Sequence, residues 1–238
     1  MPIILAIETS SELASCALLG AGTPLARSSS GVRTHSQSIL PMVQELLAEA
    51  GIGLKDCAAI AFGAGPGSFT GVRTACGIAQ GLAFGAGLPV VPVVTLAAMA
   101  LACRQQSGAT DVLAVLDARM GEVYWAQYRF DPDAACHEVV APSLCAPGDV
   151  APLPVETPLV ACGNGFLAYA DAFAGRDFAS GALAGIMPHA SCVAQLAQIE
   201  LALGRAVKAA AAQPLYLRNK IAFTSAERQA INAAKAAA

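Results

Sequence analysis

The feature that most narrows the fold is how little chain separates the first three apolar runs. "IILAIET" at 3–9, "LASCALL" at 13–19 and "TPLARSS" at 23–29 are joined only by Ser10–Glu12 and a Gly20–Gly22 turn. Such short links can reverse the chain but cannot carry a crossover, so the three runs read as an antiparallel meander. The pattern then changes. Ile39, Leu40, Val43, Leu46, Leu47 and Ala50 recur at helical spacing across 36–50. Pro41 must lie in the first turn of that helix or kink it, which makes Ser38 the expected N-cap. "CAAIAF" at 57–62 reads as a buried strand, followed by the glycine loop "GAGPGSFTGVR" at 63–73. A helix over 68–85, a strand in "PVVPVV" at 89–94 and a helix from Thr95 follow. A meander followed by alternating helix and strand predicts a mixed sheet with helices on its faces, an α/β architecture.

A second unit begins near Asp111. "DVLAVLDA" and "EVYWAQYRF" read as strands joined at Arg119–Gly121, an echo of the opening hairpin in element order only. "HEVVAPSL" and "PLVACGNG" supply two more strands, and "HASCVAQLAQIELALGRA" at 189–206 reads as a helix. The expected division is a first lobe over 1–105, a smaller second lobe over 106–222 whose last helix packs back on the first, and a frayed or disordered tail over 223–238. With 55% hydrophobic and 13% charged residues, the 238-residue chain can bury a sizeable core. A net charge of −3 offers no field for gripping a phosphate backbone, so any service to nucleic acid would rest on a partner. The opening "MPIILAIETSSE" has no basic leader, and no run is long and apolar enough to span a bilayer; a cytoplasmic protein is the expectation. Eight scattered cysteines without a C-x-x-C pair read as buried reduced thiols.

Several groups could carry chemistry. Gly63, Gly65, Gly67 and Gly71 permit close backbone approach, and Ser68 can cap the next helix, whose free N–H groups favour an anion. Gly65, Gly67 and Ser68 are therefore the candidate phosphate contacts. The loop lacks the Lys-Ser/Thr of a Walker A motif and the spacing of a dinucleotide fingerprint. Phosphate site and tight strand–helix connection both stay open. In the helix that follows, Gly77, Gly81 and Gly85 each cost about 1 kcal/mol relative to Ala. Close approach of another element would offset that, and Phe69, Val72, Cys76, Ala79 and Ala83 form a separate stripe. One stripe can pack on its own sheet while the other meets a second chain. Glu8, Thr9, Ser10 and Ser11 cluster at the first hairpin, and Asp117 with Arg119 at a later one, where the residues suit a surface turn or a cross-cleft contact. His35, His137 and His189 have no metal-ligand spacing, and no nucleophile motif is present; no catalytic or metal residue is expected.

Taken together, "ILAIETSSELASCALL", "THSQSILPMVQELL", "GAGPGSFTGVRTACGIAQGLA", "VLDARMGEVYWAQY", "CGNG" and "PLYLRN", in this order, resemble the TsaB (YeaZ) family. Members are bacterial partners in making threonylcarbamoyladenosine in tRNA. The resemblance implies an actin-like ATPase (ribonuclease-H-like) fold of two sub-domains, without enzymatic activity of its own. It sets the chain beside TsaD, the related catalytic protein, whose metal-binding His-x-x-x-His pair has Thr95 and Met99 at the matching positions here. It also implies pairing with TsaD through the helices 36–50 and 68–85, with His35, Ile39, Met42, Val43, Leu46, Phe69, Val72, Arg73, Gly77 and Gly81 as interface residues. The same surface would self-pair into a homodimer. A TsaE-like ATPase would join the pair, with ATP or ADP near that junction, no cofactor required by this chain, and tRNA engaged indirectly. The alternative is an autonomous actin-like ATPase or small-molecule kinase built on Glu8, Ser10 and the glycine loop.

Overall fold

A computed structural model describes residues 1–30, 35–132 and 135–218. The tail expected beyond residue 222 lies outside the described residues. The opening meander is present as β1 (Ile4–Glu8), β2 (Ala14–Leu19) and β3 (Leu25–Ser29). It is followed by α1 (His35–Ala50), β4 (Ala59–Gly65), α2 (Phe69–Ala86) and β5 (Val90–Val94). The sheet order is β3-β2-β1-β4-β5, with β1 antiparallel to β2 and parallel to β4. Short links gave antiparallel neighbours and helical crossovers gave parallel ones, as chain length requires.

After α3 (Thr95–Ser107), the second sheet repeats the scheme. β6 (Asp111–Arg119), β7 (Glu122–Phe130) and β8 (Cys136–Cys145) form a meander, and β9 (Leu159–Cys162) lies parallel to β6. The order is β8-β7-β6-β9, so the second sheet matches the first without its fifth strand. The short helices α4 (Gly165–Ala168) and α5 (Ala170–Phe173) and the longer α6 (Ala190–Ala202) complete the described elements.

The first sheet is buried on both faces, and side-chain alternation divides its residues between two cores. Leu5, Ile7, Ile60 and Phe62 face α1 and α2, while Ile4, Ala6, Ala59 and Ala61 face α3 and α6. Small side chains on the second face let α6 pack closely across β1, β2, β4 and β5. The Ser15 hydroxyl pins its start by accepting from the Ala190 N–H at 3.0 Å. Beyond α6 the chain stays with the first lobe, where Val207 bridges to Val90 on the sheet edge.

Two local expectations are corrected. Ser38 is not an N-cap, because α1 already begins at His35; Ser38 lies buried inside the helix, its hydroxyl directed at the His35 carbonyl. Pro41 therefore falls in the second turn rather than the first. Six of the eight cysteines are buried, whereas Cys136 and Cys145 on the edge strand β8 are only half-buried. Among the described residues no helix is long and apolar enough to cross a membrane.

Candidate functional site

The glycine loop lies directly against the first hairpin. A Cβ on Gly67 would overlap the Ser10 backbone, one on Gly71 the Thr9 carbonyl, and one on Gly63 the Glu8 carboxyl. The Ser68 N–H donates to the Ser10 carbonyl at 2.7 Å, and the Thr9 hydroxyl donates to the Gly71 carbonyl at 2.7 Å. Three of the loop's glycines are thus required by intramolecular packing, with no ligand needed to explain them. Ser68 does cap α2, its hydroxyl accepting from the Gly71 N–H at 3.4 Å.

Behind this contact sits a closed polar network. Glu8, Ser10 and Thr95 are all buried. One oxygen of Glu8 accepts from the Ser10 N–H at 2.5 Å, while the other has no partner and no solvent. Burial therefore holds the Glu8 carboxyl above its ordinary range. The Thr95 hydroxyl accepts from the Gly65 N–H at 3.1 Å and donates to the Ser10 hydroxyl at 3.3 Å. Thr95 and Met99, at the positions matched to a metal pair, are both fully buried. The Met99 methyl occupies the space a side chain on Gly163 would need. Among the described residues, no group of three or more His, Cys, Asp or Glu side chains is placed to hold a metal ion.

Between the lobes lies a cavity of about 490 Å³. Ser10–Glu12 and Gly67–Phe69 form one wall, Leu116–Met120 and Tyr124 the other, and Leu215–Arg218 close one side. Of the candidate phosphate contacts, Gly67 and Ser68 reach this cavity; Gly65 is not in its lining and its N–H is already taken by Thr95. The cations in the wall are already neutralised. Arg119 meets Glu12 at 2.5 Å and Asp117 at 3.3 Å, and Arg218 meets Glu122 at 2.6 Å. A polyphosphate entering here would have to compete with carboxylates for each of them.

Asp117 and Arg119 form both a turn and a cross-cleft contact. Asp117 accepts from the Arg119 N–H at 2.7 Å and from the Tyr169 hydroxyl at 3.0 Å, and its own N–H donates to Asn164 at 2.9 Å. Arg119 and Met120 take left-handed backbone angles, φ 61° and 58°, ahead of Gly121. Two non-glycine residues in that region cost on the order of 1 kcal/mol each or more, which this bonding offsets.

The strap at 213–218 has no local pattern that would place it from sequence. Its Leu215 N–H donates to the Ala64 carbonyl at 2.7 Å, and the Tyr216 ring stacks near Phe69 at 5.8 Å. Arg218 then bonds the Arg119 carbonyl at 3.3 Å on the second lobe. The strap fastens the two lobes through contacts that span most of the sequence.

The expected partner surface is redrawn. Ile39, Met42, Val43 and Leu46 are buried against the chain's own sheet, and Val72 is buried beside the cleft cavity, so none of them presents an outward surface. Their periodicity marks the inward stripe, which the sheet already satisfies. His35 and Phe69 are half-buried at the cleft mouth, and Arg73, Gly77 and Gly81 are exposed. Sequence reading missed Leu40, 45% exposed, and Phe84, 82% exposed, on the outward faces of the same helices. Nothing lies within 4 Å of a Cβ built on Gly77, Gly81 or Gly85. No contact among the described residues accounts for three glycines in that helix.

Residues 27–231 match the family described as "TsaD: tRNA N6-adenosine threonylcarbamoyltransferase". The chain is 42% identical over 224 residues to the tRNA threonylcarbamoyladenosine biosynthesis protein TsaB of Escherichia coli, covering 92% of this chain and 96% of that protein. It is 39% identical over 227 residues to the TsaB of Haemophilus influenzae, covering 92% and 95%. The solved structure of YeaZ from Pseudomonas aeruginosa superposes with a TM-score of 0.83 at 40% identity, covering 91% of this chain and all of that one.

Proposed function

The chain belongs to the TsaB (YeaZ) family, and from that premise we propose that it is a non-catalytic subunit in the making of threonylcarbamoyladenosine in tRNA. In this reading it pairs through the outward faces of α1 and α2 with a TsaD-like catalytic subunit. A TsaE-like ATPase joins the pair with its nucleotide at the junction. The tRNA is engaged through the assembly in the cytoplasm, and the same face forms a homodimer when the chain is alone. One observation carries the reading: the glycines Gly77, Gly81 and Gly85 of α2 point outward with nothing among the described residues against them. Three glycines cost the isolated helix roughly 3 kcal/mol, and a closely approaching second backbone is what would return that energy.

The test replaces Gly77 or Gly81 by Leu and follows pairing with the TsaD-like subunit by size-exclusion chromatography. Pairing is lost while the circular dichroism of the single chain is unchanged. Reconstituting the modification with and without this chain reads the function, and a rate unaffected by its omission sinks the proposal.

A second reading, an autonomous ATPase or small-molecule kinase, draws on the cleft cavity at the start of α2. Its acidic group would have to be Glu8, which is sealed beneath Ser10 and absent from the cavity wall. Calorimetry with ATP and magnesium decides it: tight binding with turnover favours the enzyme.

A further inference from the structure

Arg73 is held in a way that its place in the fold does not require. Its guanidinium lies 3.7 Å from the centre of the Phe69 ring and 5.6 Å from that of Tyr216. Its Nε donates to the Tyr216 hydroxyl at 2.7 Å. Arg27, Arg119, Arg129, Arg205 and Arg218 each meet a carboxylate, and Arg104 and Arg176 each donate from a terminal nitrogen to a backbone carbonyl; Arg73 does neither among the described residues. The two terminal nitrogens, which form the flat fork of the guanidinium, make no bond there.

We propose that Arg73 is a preset anchor for a carboxylate on the protein that docks against α2. The proposal rests on the reading of the outward α2 face as a partner surface, and adds what the partner must bring to it. A free arginine side chain loses about 2 kcal/mol of rotamer freedom when fixed in an ion pair. Here stacking on Phe69 and the bond to Tyr216 fix the plane and leave the terminal edge facing solvent, so much of that loss precedes docking. A planar fork suits the two oxygens of a carboxylate, and such bidentate pairs are among the stronger charge-assisted bonds.

Charge complementarity identifies the occupant. Arg73 is the only charged residue in α2, so nothing on that helix supplies the counter-ion. On the neighbouring α1, Glu45 and Glu49 are engaged with Arg27. Arg73 also lies near the positive end of the α2 dipole, which favours an anion further. Phe84 lies eleven residues on, about three turns and roughly 16 Å along the same face. The docking element therefore carries an acidic side chain at the α2 N-terminal end and an apolar hollow for Phe84 at the other. Between them the glycines admit its backbone.

The test measures affinity for the purified TsaD-like subunit by surface plasmon resonance at low and at high salt. Arg73→Gln weakens binding about tenfold or more and flattens the salt dependence; Arg73→Lys, which keeps charge but not the fork, recovers only part. Tyr216→Phe, which unpins the guanidinium without removing it, costs a few-fold. Phe84→Ser weakens binding and leaves the salt dependence intact. Gly77→Leu serves as the reference. If it abolishes pairing while Arg73→Gln changes neither affinity nor salt dependence, the surface stands and the anchor is overturned. If Gly77→Leu has no effect, the surface reading fails and the anchor with it. If Arg73→Gln instead weakens retention of tRNA and leaves the protein pair intact, its ligand is a phosphate and the proposal is overturned. Melting curves of each variant exclude unfolding as the cause.

Discussion

The carboxyl group of Glu8 fills the space beside the Gly63 Cα that any side chain at residue 63 would need. Both residues are buried, on the parallel neighbours β1 and β4, so neither can yield toward solvent.

Gly63→Ala is therefore expected to destabilise the chain by about 1–3 kcal/mol, the usual cost of overpacking. The new methyl group must push the Glu8 carboxyl off the Ser10 N–H. Thermal melting reads this directly, and a melting temperature equal to the parent's would contradict the packing described.

Glu8 also sets a pH dependence. Its carboxyl titrates above the ordinary value of 4.5 because burial penalises the charge. The folded chain thus keeps a proton that the unfolded chain has released. Its contribution is full below pH 4.5 and is lost as pH rises through the folded-state value. Glu8→Gln carries no charge at any pH. Relative to the parent, the variant should gain stability as pH rises from 4.5 toward neutrality. A stability difference that stays flat across that range would show the carboxyl to be ionised in the fold.

Gly81→Ala separates helix propensity from pairing. With nothing within 4 Å of the added methyl, the isolated chain should gain about 0.5–1 kcal/mol. The gain is read by denaturant unfolding at a concentration too low for self-association. Pairing with a partner should weaken in the same variant. A loss of monomer stability would reveal a neighbour inside the chain.

Two ion pairs of similar length should differ in worth. Glu12 and Arg119 bridge the lobes at 2.5 Å, but their side chains are 77% and 69% exposed. Glu12→Ala should change stability by no more than about 0.5 kcal/mol. Asp111 is 1% exposed and bonds the Arg129 Nε at 2.8 Å and the Thr157 hydroxyl. Asp111→Ala strands those donors and should cost about 1–3 kcal/mol. Equal effects in parallel urea titrations would refute this ranking.

Element order was legible because it rests on local quantities. Link length separated the antiparallel meander of β1–β3 from the parallel β4 and β5, and the same rule carried over to β6–β9. The helix read over 36–50 matches α1 to within a residue, but its cap was misplaced, because Ser38 and Pro41 look like boundary residues while the helix already starts at His35. The candidate interface was misread for a different reason. Ile39, Met42, Val43, Leu46 and Val72 announce an apolar face, but periodicity does not say whether that face meets the chain's own sheet or another protein. Leu40 shares the helical spacing of the buried residues yet faces outward, and Phe84 lies outside the stripe read for α2.

The sequence by itself determined the alternation of strands and helices, the family, and the glycines that mark α2, since short-range spacing and motif identity suffice for these. Tertiary structure decided what the glycines are for. Gly63, Gly67 and Gly71 make room for Glu8, Ser10 and Thr9, whereas a Cβ on Gly77, Gly81 or Gly85 would meet none of the described residues. Tertiary structure alone also placed Tyr216 beside Arg73, 143 residues away in sequence, and Arg218 beside Glu122. Such contacts depend on where the lobes and the returning strap meet, and no local propensity encodes that meeting.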